Sequence, residues 1–308
     1  MHEESVTRAK RRHVFIIDGT LSRIEEGDET NAGILFKLLT ENGPQASQTV
    51  GYDPGVQAEG FAKWIKVAAG TGINESILQG YATLCSRYRS GDSIMLFGYS
   101  RGAYAVRSLA GLIGRIGMLR AEEATQRRIY RAFRYYESVT PSKAAKDFCE
   151  AYCHARVEIE LLGVWDTVKS LGLPYPILNR LAPMATEFHD HSLLNNTRNA
   201  YQALALDENR TSYSKAEKSG LRLPQDWRHE FPQNPKAPMH GPYRGNGRLF
   251  IARGPREVGL CSSESIHRSV FDRMAAQKRY KPRAVINSQK TEQETEWRGH
   301  IPGGLQPE

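Results

Sequence analysis

Ser100 stands between two glycines in Gly98-Tyr99-Ser100-Arg101-Gly102, after the strand-like run Ser93–Phe97 and ahead of a helix-like stretch from Ala103 to Gly114. A serine hydroxyl attacks an acyl carbon only when it is lifted clear of the backbone, beside a base and near donors for the developing oxyanion. A strand that turns abruptly into a helix provides that lift. Flanking side chains would collide at such a bend, so glycines occupy both neighbouring positions, and G-x-S-x-G is the trace of that crowding. The turn also sets Ser100 at a helix N-terminus and leaves the Arg101 amide to face an oxyanion. The bland alternative is a tight turn before a helix. The strand before it, and the small Gly102 and Ala103 after it, favour a nucleophile elbow.

Two aspartates end other apolar runs in the same way. Val14–Ile17 stops at Asp18-Gly19-Thr20, and Glu158–Val164 stops at Trp165-Asp166-Thr167. Asp166 follows the serine in the chain order Ser, Asp, His of hydrolases with this elbow, and reads as the acid; its alternative is a helix cap or loop carboxylate. Gly19 or Thr20 would supply the second oxyanion amide, with Asp18 orienting that loop or serving as a plain turn residue. Arg101 and Arg107, early in the following helix, are placed to meet an anionic group; paired helix-surface arginines with acidic partners are the duller explanation.

The elements that must position these residues follow from periodicity. Short continuous apolar runs mark buried parallel strands at Val14–Ile17, Gln48–Tyr52, Ser93–Phe97 and Glu158–Val164. Helical spacing covers Asn31–Leu39, Glu75–Tyr88, much of Glu122–Glu137 and Asn195–Glu208. Strands alternating with helices predict an α/β class, with a mostly parallel sheet covered on both faces and chemistry at the carboxyl ends of the strands. Asp18, Ser100 and Asp166 all fall there. We expect a basic arm over residues 1–12, one domain over 13–287 whose lid and periphery occupy about 173–260, and a polar tail over 288–308.

The chain has 308 residues, of which 40% are hydrophobic, enough for a sizeable core. Its net charge of +8 is spread along the chain, and no nucleic-acid motif accompanies the short clusters at Arg8–Arg12 and Lys278–Arg283, so no nucleic-acid partner is expected. Four cysteines make no disulfide framework. Cys149, Cys153 and His154 have the spacing of one helix face and lack a second ligand cluster, so no metal site is expected, and the chemistry requires no cofactor. No signal-peptide pattern precedes the first strand and no run reaches membrane-spanning length, which predicts a chain made in the cytoplasm.

A longer series of motifs adds to this reading: "FIIDGT", the Thr30-Asn31 pair, "YDPGV" at Tyr52–Val56, "GINESILQGY", the elbow segment, "GVWDTVKSLG", "FHDHSL" and "NAYQALALDENR". In that order they resemble the bacterial family called domain of unknown function 2235, which contains the α/β-hydrolase catalytic domain of type VI secretion phospholipase effectors, lipase family 1. The resemblance covers almost the whole chain. It implies an α/β-hydrolase-like sheet and a serine esterase or phospholipase, with Ser100 as nucleophile, Asp166 as acid and a histidine as base. It further implies an ester or phospholipid substrate, peripheral membrane contact, an immunity or secretion partner, and export by a type VI system without a signal peptide.

The base is where the chain departs from that pattern. Family members carry it in a motif close to Val-His-Ser-Asp-Val-Gly-Gly-Gly-Tyr, and no such string occurs here. The order runs from Asp207–Arg210 through Ser212-Tyr213-Ser214 straight into Lys215, as though a late core strand, its histidine loop and part of a helix had been lost. Gln202 also replaces a histidine usual in relatives. The remaining candidates are His229, His240, His267, His189 and His191; His240 and His189 lie in the loop-rich part where lids are found, and each also reads as an ordinary loop histidine. Two functions therefore stay open: a serine ester hydrolase with a relocated base, or a catalytically impaired member that binds a ligand or protein through the old cleft. Anion or nucleotide binding at the glycine-rich turns lacks any phosphate-binding fingerprint.

Overall fold

A computed structural model of the chain describes residues 8–19, 22, 24, 29–41, 43–55, 71–138, 142–166, 196–203, 268–277 and 280. The chain divides into two compact units, Met1–Ala203 and Leu204–Glu308. In the second, helix α6 (Arg268–Ala276) is described, with the Arg273 guanidinium 5.5 Å from the Tyr280 ring centre.

The first unit is built on a five-stranded sheet: β1 (Arg12–Ile17), β2 (Gln48–Asp53), β3 (Ser93–Tyr99), β4 (Ile159–Trp165) and β5 (Thr197–Ala203), in the order β2-β1-β3-β4-β5. Every pairing is parallel. The helices between them are α1 (Asn31–Thr40), α2 (Thr71–Arg87), α3 (Arg101–Ile116), α4 (Gln126–Glu137) and α5 (Lys143–Tyr152). The fold is α/β, as the alternation of runs predicts.

Side chains alternate across each strand, and the two faces meet different partners. Phe15, Ile17, Ile94, Leu96 and Val164 join the large core made with α2, α3 and α4, where Tyr81, Leu109 and Leu112 are fully buried. Val14, Ile16 and Phe97 point the other way, onto α1, with Tyr99 and Trp165 packed at the rim. Near-continuous burial of β1 reflects a strand covered on both faces.

One element is corrected. The helix expected over Asn195–Glu208 is not formed at Thr197–Ala203, which is strand β5, paired along its length with β4. Pairing with β4 outweighs a helix preference of a few tenths of a kcal/mol per residue. The segment after Arg210, where a strand loss was inferred, lies outside the described residues. Lys143–Tyr152 is a helix, with Cys149 near its end and Cys153 at its C-cap, both free thiols. Among the described residues no group of His, Cys, Asp or Glu is placed to hold a metal ion. No helix among them is long and apolar enough to cross a membrane.

At the amino end of the sheet a buried carboxylate ties three segments together. Asp92 accepts from the Arg11 and Arg89 amides at 3.0 Å each, from His13 Nε2 at 3.0 Å and from the Arg8 guanidinium. Burial pushes its pKa upward, but these donors outweigh it and leave the carboxyl below its ordinary value of 3.8. A depressed folded pKa means stability that is complete above the ordinary value and is lost as pH falls through the folded one. Asp92→Asn is therefore expected to cost about 1–3 kcal/mol at pH 7 and less at pH 3. Urea midpoints of both proteins at the two pH values check this. Equal deficits at both would remove the charge from the account.

Candidate active site

Strand β3 ends at Tyr99 and α3 begins at Arg101, so Ser100 alone reverses the chain. It does so at φ 56, ψ −117, a conformation that costs a non-glycine residue about 1–3 kcal/mol. Its amide donates to Trp165 O at 2.9 Å, which binds the bend to the end of the neighbouring strand. A serine at this position ordinarily spends its hydroxyl on the helix amides. Here the Ser100 side chain makes no such cap.

The two glycines of the motif are required by contact. A Cβ on Gly98 would lie 2.5 Å from Gly102 O and 2.6 Å from Val106 Cγ2. A Cβ on Gly102 would lie 2.1 Å from Ile17 O and 2.4 Å from Asp18 O. Helix α3 thus rests on the backbone at the end of β1, and only a hydrogen fits between them.

Register brings the three strand ends into one row. Ile17 pairs with Gly98, and Tyr99 pairs with Trp165, so Asp18, Ser100 and Asp166 emerge side by side from β1, β3 and β4. Asp166 has φ 42, and its amide donates to Ala203 O at 2.9 Å. Ser100 and Asp166 are the non-glycine residues with positive φ among the described ones. Backbone strain is thereby confined to two adjacent strand ends at the row where α/β sheets place their chemistry.

Asp18 is 1% exposed and has both oxygens engaged. Oδ1 accepts from the Gly19 amide at 2.6 Å, while Oδ2 accepts from Thr30 Oγ1 at 2.6 Å and from the Tyr52 hydroxyl at 2.7 Å. The Gly19 amide, one of two expected to face an oxyanion, is thus turned onto the carboxylate of the preceding residue, Asp18. Thr20 lies outside the described residues. Arg101 is buried, 7% exposed, and Arg107 is partly buried one and a half turns further along α3. Thr30, Tyr52 and the Asp53-Gly55 turn were not predicted as site residues. Their signal was their presence in the motif series, which says nothing of where they meet.

The described histidines lie elsewhere. His13 pairs in register with Ile94, six residues before Ser100, or about 20 Å away along the strands. It bonds Thr49 Oγ1 at 2.7 Å and Asp92. His154 stacks edge-on against Tyr88, 5.0 Å between ring centres, and Tyr88 is in turn 6.2 Å from His13. Burial, then the nearby Arg120, lowers the His154 pKa. His189, His191, His229, His240 and His267 all lie outside the described residues.

Residues 11–237 match the family described as T6SS, phospholipase effector Tle1-like, catalytic domain. The chain belongs to this family. Within the Tle1-like catalytic domain, the matched span includes Asp18, the elbow, Asp166, His189 and His229, and ends before His240. The chain is also 29% identical over 197 residues to the uncharacterized protein YEL023C of Saccharomyces cerevisiae, covering 55% of this chain and 28% of that protein. A solved structure, the Tle1 effector bound to the VgrG spike from the type 6 secretion system, is 18% identical, with a TM-score of 0.32, over 67% of this chain and 47% of that one. This Tle1-like chain therefore spans less than half the length of both relatives.

Proposed function

We propose that this Tle1-like domain is a serine ester hydrolase acting on phospholipids, with Ser100 as the nucleophile and Asp166 as the acid of its triad. The observation that supports it is the strained Ser100, uncommitted to capping α3, bonded through its amide to the strand that delivers Asp166. Ser100 Oγ adds to the ester carbonyl while a histidine takes its proton. The tetrahedral oxyanion collapses, expelling the alcohol, which receives that proton. Water then attacks the acyl-serine by the same route and frees the fatty acid. The Arg101 amide, in the first turn of α3 directly after the nucleophile, is the first oxyanion donor, and Thr20 is the second. With the Gly19 amide held by Asp18, Thr20 is the better of the two loop residues for this role.

The base comes from the later histidines, with His240 and His189 preferred, because His13 and His154 lie toward the other end of the sheet. That same observation favours the competing reading, an impaired enzyme that keeps the cleft for a ligand or protein. Contact with a membrane surface, export by a type VI system and an immunity or secretion partner belong to the proposal through family membership.

One experiment separates the readings. The full chain is treated with a fluorophosphonate probe and, in parallel, given vesicles of phosphatidylethanolamine and phosphatidylglycerol. Hydrolase function predicts label on the Ser100 peptide and release of free fatty acid, both abolished in His240→Ala or in His189→Ala. Folded protein that takes no label and releases no fatty acid establishes the impaired reading.

A further inference from the structure

Two motifs have no part in the reaction as proposed: the Thr30-Asn31 pair and Tyr52-Asp53-Pro54-Gly55. They sit on different elements, the start of α1 and the end of β2, yet both converge on Asp18. Thr30 Oγ1 accepts from the Gly33 amide at 3.0 Å, capping α1, and donates to Asp18 Oδ2 at 2.6 Å. Tyr52 donates to the same oxygen at 2.7 Å, and its ring stacks on Phe36 of α1, 4.7 Å between centres. Asp53 O accepts from the Asp18 amide at 2.9 Å, and Asp53 Oδ1 accepts from the Gly55 amide at 2.8 Å. Gly55 has φ +71, and a Cβ there would lie 2.4 Å from both Asp18 O and Gly19 O. The Asp18–Gly19 segment is therefore held from outside by the β2 turn, and from inside by Gly102 of the elbow.

We propose that Tyr52 and Thr30 are positioning residues, which act through Asp18 to set the loop after β1 against the elbow. Neither reaches the reacting atoms. Their hydroxyls divide one buried carboxylate oxygen between β2 and α1, leaving the other to accept from the Gly19 amide. A loop without these ties would present its oxyanion donor in many orientations, and misplacement of about 1 Å costs up to 10²-fold in rate. Burial, followed by the bond to Asp18 and the charges of Asp18 and Asp53, raises the Tyr52 pKa, so the phenol stays a donor across the working range. The inference rests on the hydrolase reading for its consequence in rate, but not for the coupling of loop to elbow.

The test compares Tyr52→Phe, Thr30→Val and Thr30→Ser with wild type in the full chain. The first keeps the ring on Phe36 and removes one donor; the last keeps the hydroxyl. Three quantities are read: fluorophosphonate labelling rate with kcat and KM on a soluble ester, thermal midpoint, and hydrogen exchange in peptides covering Phe15–Gly19 and Phe97–Val106. Tyr52→Phe and Thr30→Val are expected to lower labelling and kcat by about ten- to a hundredfold with KM little changed. They are expected to speed exchange in both peptides, and Thr30→Ser to restore wild-type values. Labelling that falls only in step with the folded fraction overturns the proposal, as does exchange that rises in the loop peptide alone. If wild type itself takes no label, the hydrolase reading fails, and the exchange data still decide whether the loop and the elbow are coupled.

Discussion

Ser100→Ala is expected to abolish ester hydrolysis and probe labelling while leaving the protein folded. Loss of the nucleophile in a serine triad costs about 10⁶-fold in turnover, or roughly 8 kcal/mol of transition-state stabilisation, because the remaining groups act as a unit with it. The backbone at this position adds a second expectation that a surface serine would not share. Ser100 holds φ 56, a region costly for any residue with a Cβ. Ser100→Gly should therefore be as inactive as Ser100→Ala and yet more stable than wild type, by about 1 kcal/mol after the entropic cost of glycine. Thermal midpoints beside turnover give the answer. An active Ser100→Ala protein would end the hydrolase proposal, and a Ser100→Gly protein no more stable than Ser100→Ala would show that the bend stores no strain.

Gly102→Ala carries the largest expected loss of stability. The added methyl would stand 2.1 Å from Ile17 O, 2.4 Å from Asp18 O and 2.6 Å from Ile17 C, all of them backbone at the end of a strand paired on both sides. No rotamer can relieve such a contact, so α3 must lift from β1 or the loop must shift. Overpacking of this kind costs about 3 kcal/mol or more, which in a chain of this size lowers the thermal midpoint by roughly 5 °C. Activity should fall further than stability, since the atoms displaced are those that place the Asp18 loop beside the elbow. Gly111→Ala is the control. It lies in the same helix and meets the Tyr136 hydroxyl at 2.9 Å, a side-chain end rather than backbone, and alanine favours the helix by about 1 kcal/mol over glycine. Its midpoint should fall less than that of Gly102→Ala. Similar losses for both variants would mean that helix context, not the closeness of β1, decides the cost.

The bend at Ser100 was legible because its causes are local. The apolar run of β3, the Gly-x-Ser-x-Gly spacing and the small residue after it each act within a few positions of one another, and the described backbone has the strand, the single-residue reversal and the helix that this pattern requires. Asp18 and Asp166 could be read as strand-end carboxylates for the same reason. Their neighbourhood could not. Asp18 bonds Thr30 and Tyr52, twelve and thirty-four positions away, and no periodicity relates those separations.

From its order of residues alone the protein determined its class, its parallel strands and the sharp bend at Ser100, since steric limits and apolar periodicity work over short stretches of chain. Tertiary structure decided the rest. It made Thr197–Ala203 a strand by offering the open edge of β4, and it aligned the ends of β1, β3 and β4 through their register. It turned the Gly19 amide onto Asp18 and kept His13 and His154 at the far end of the sheet. Each of these depends on hydrogen bonds and packing between distant segments, whose free energy exceeds any local preference once the sheet has formed.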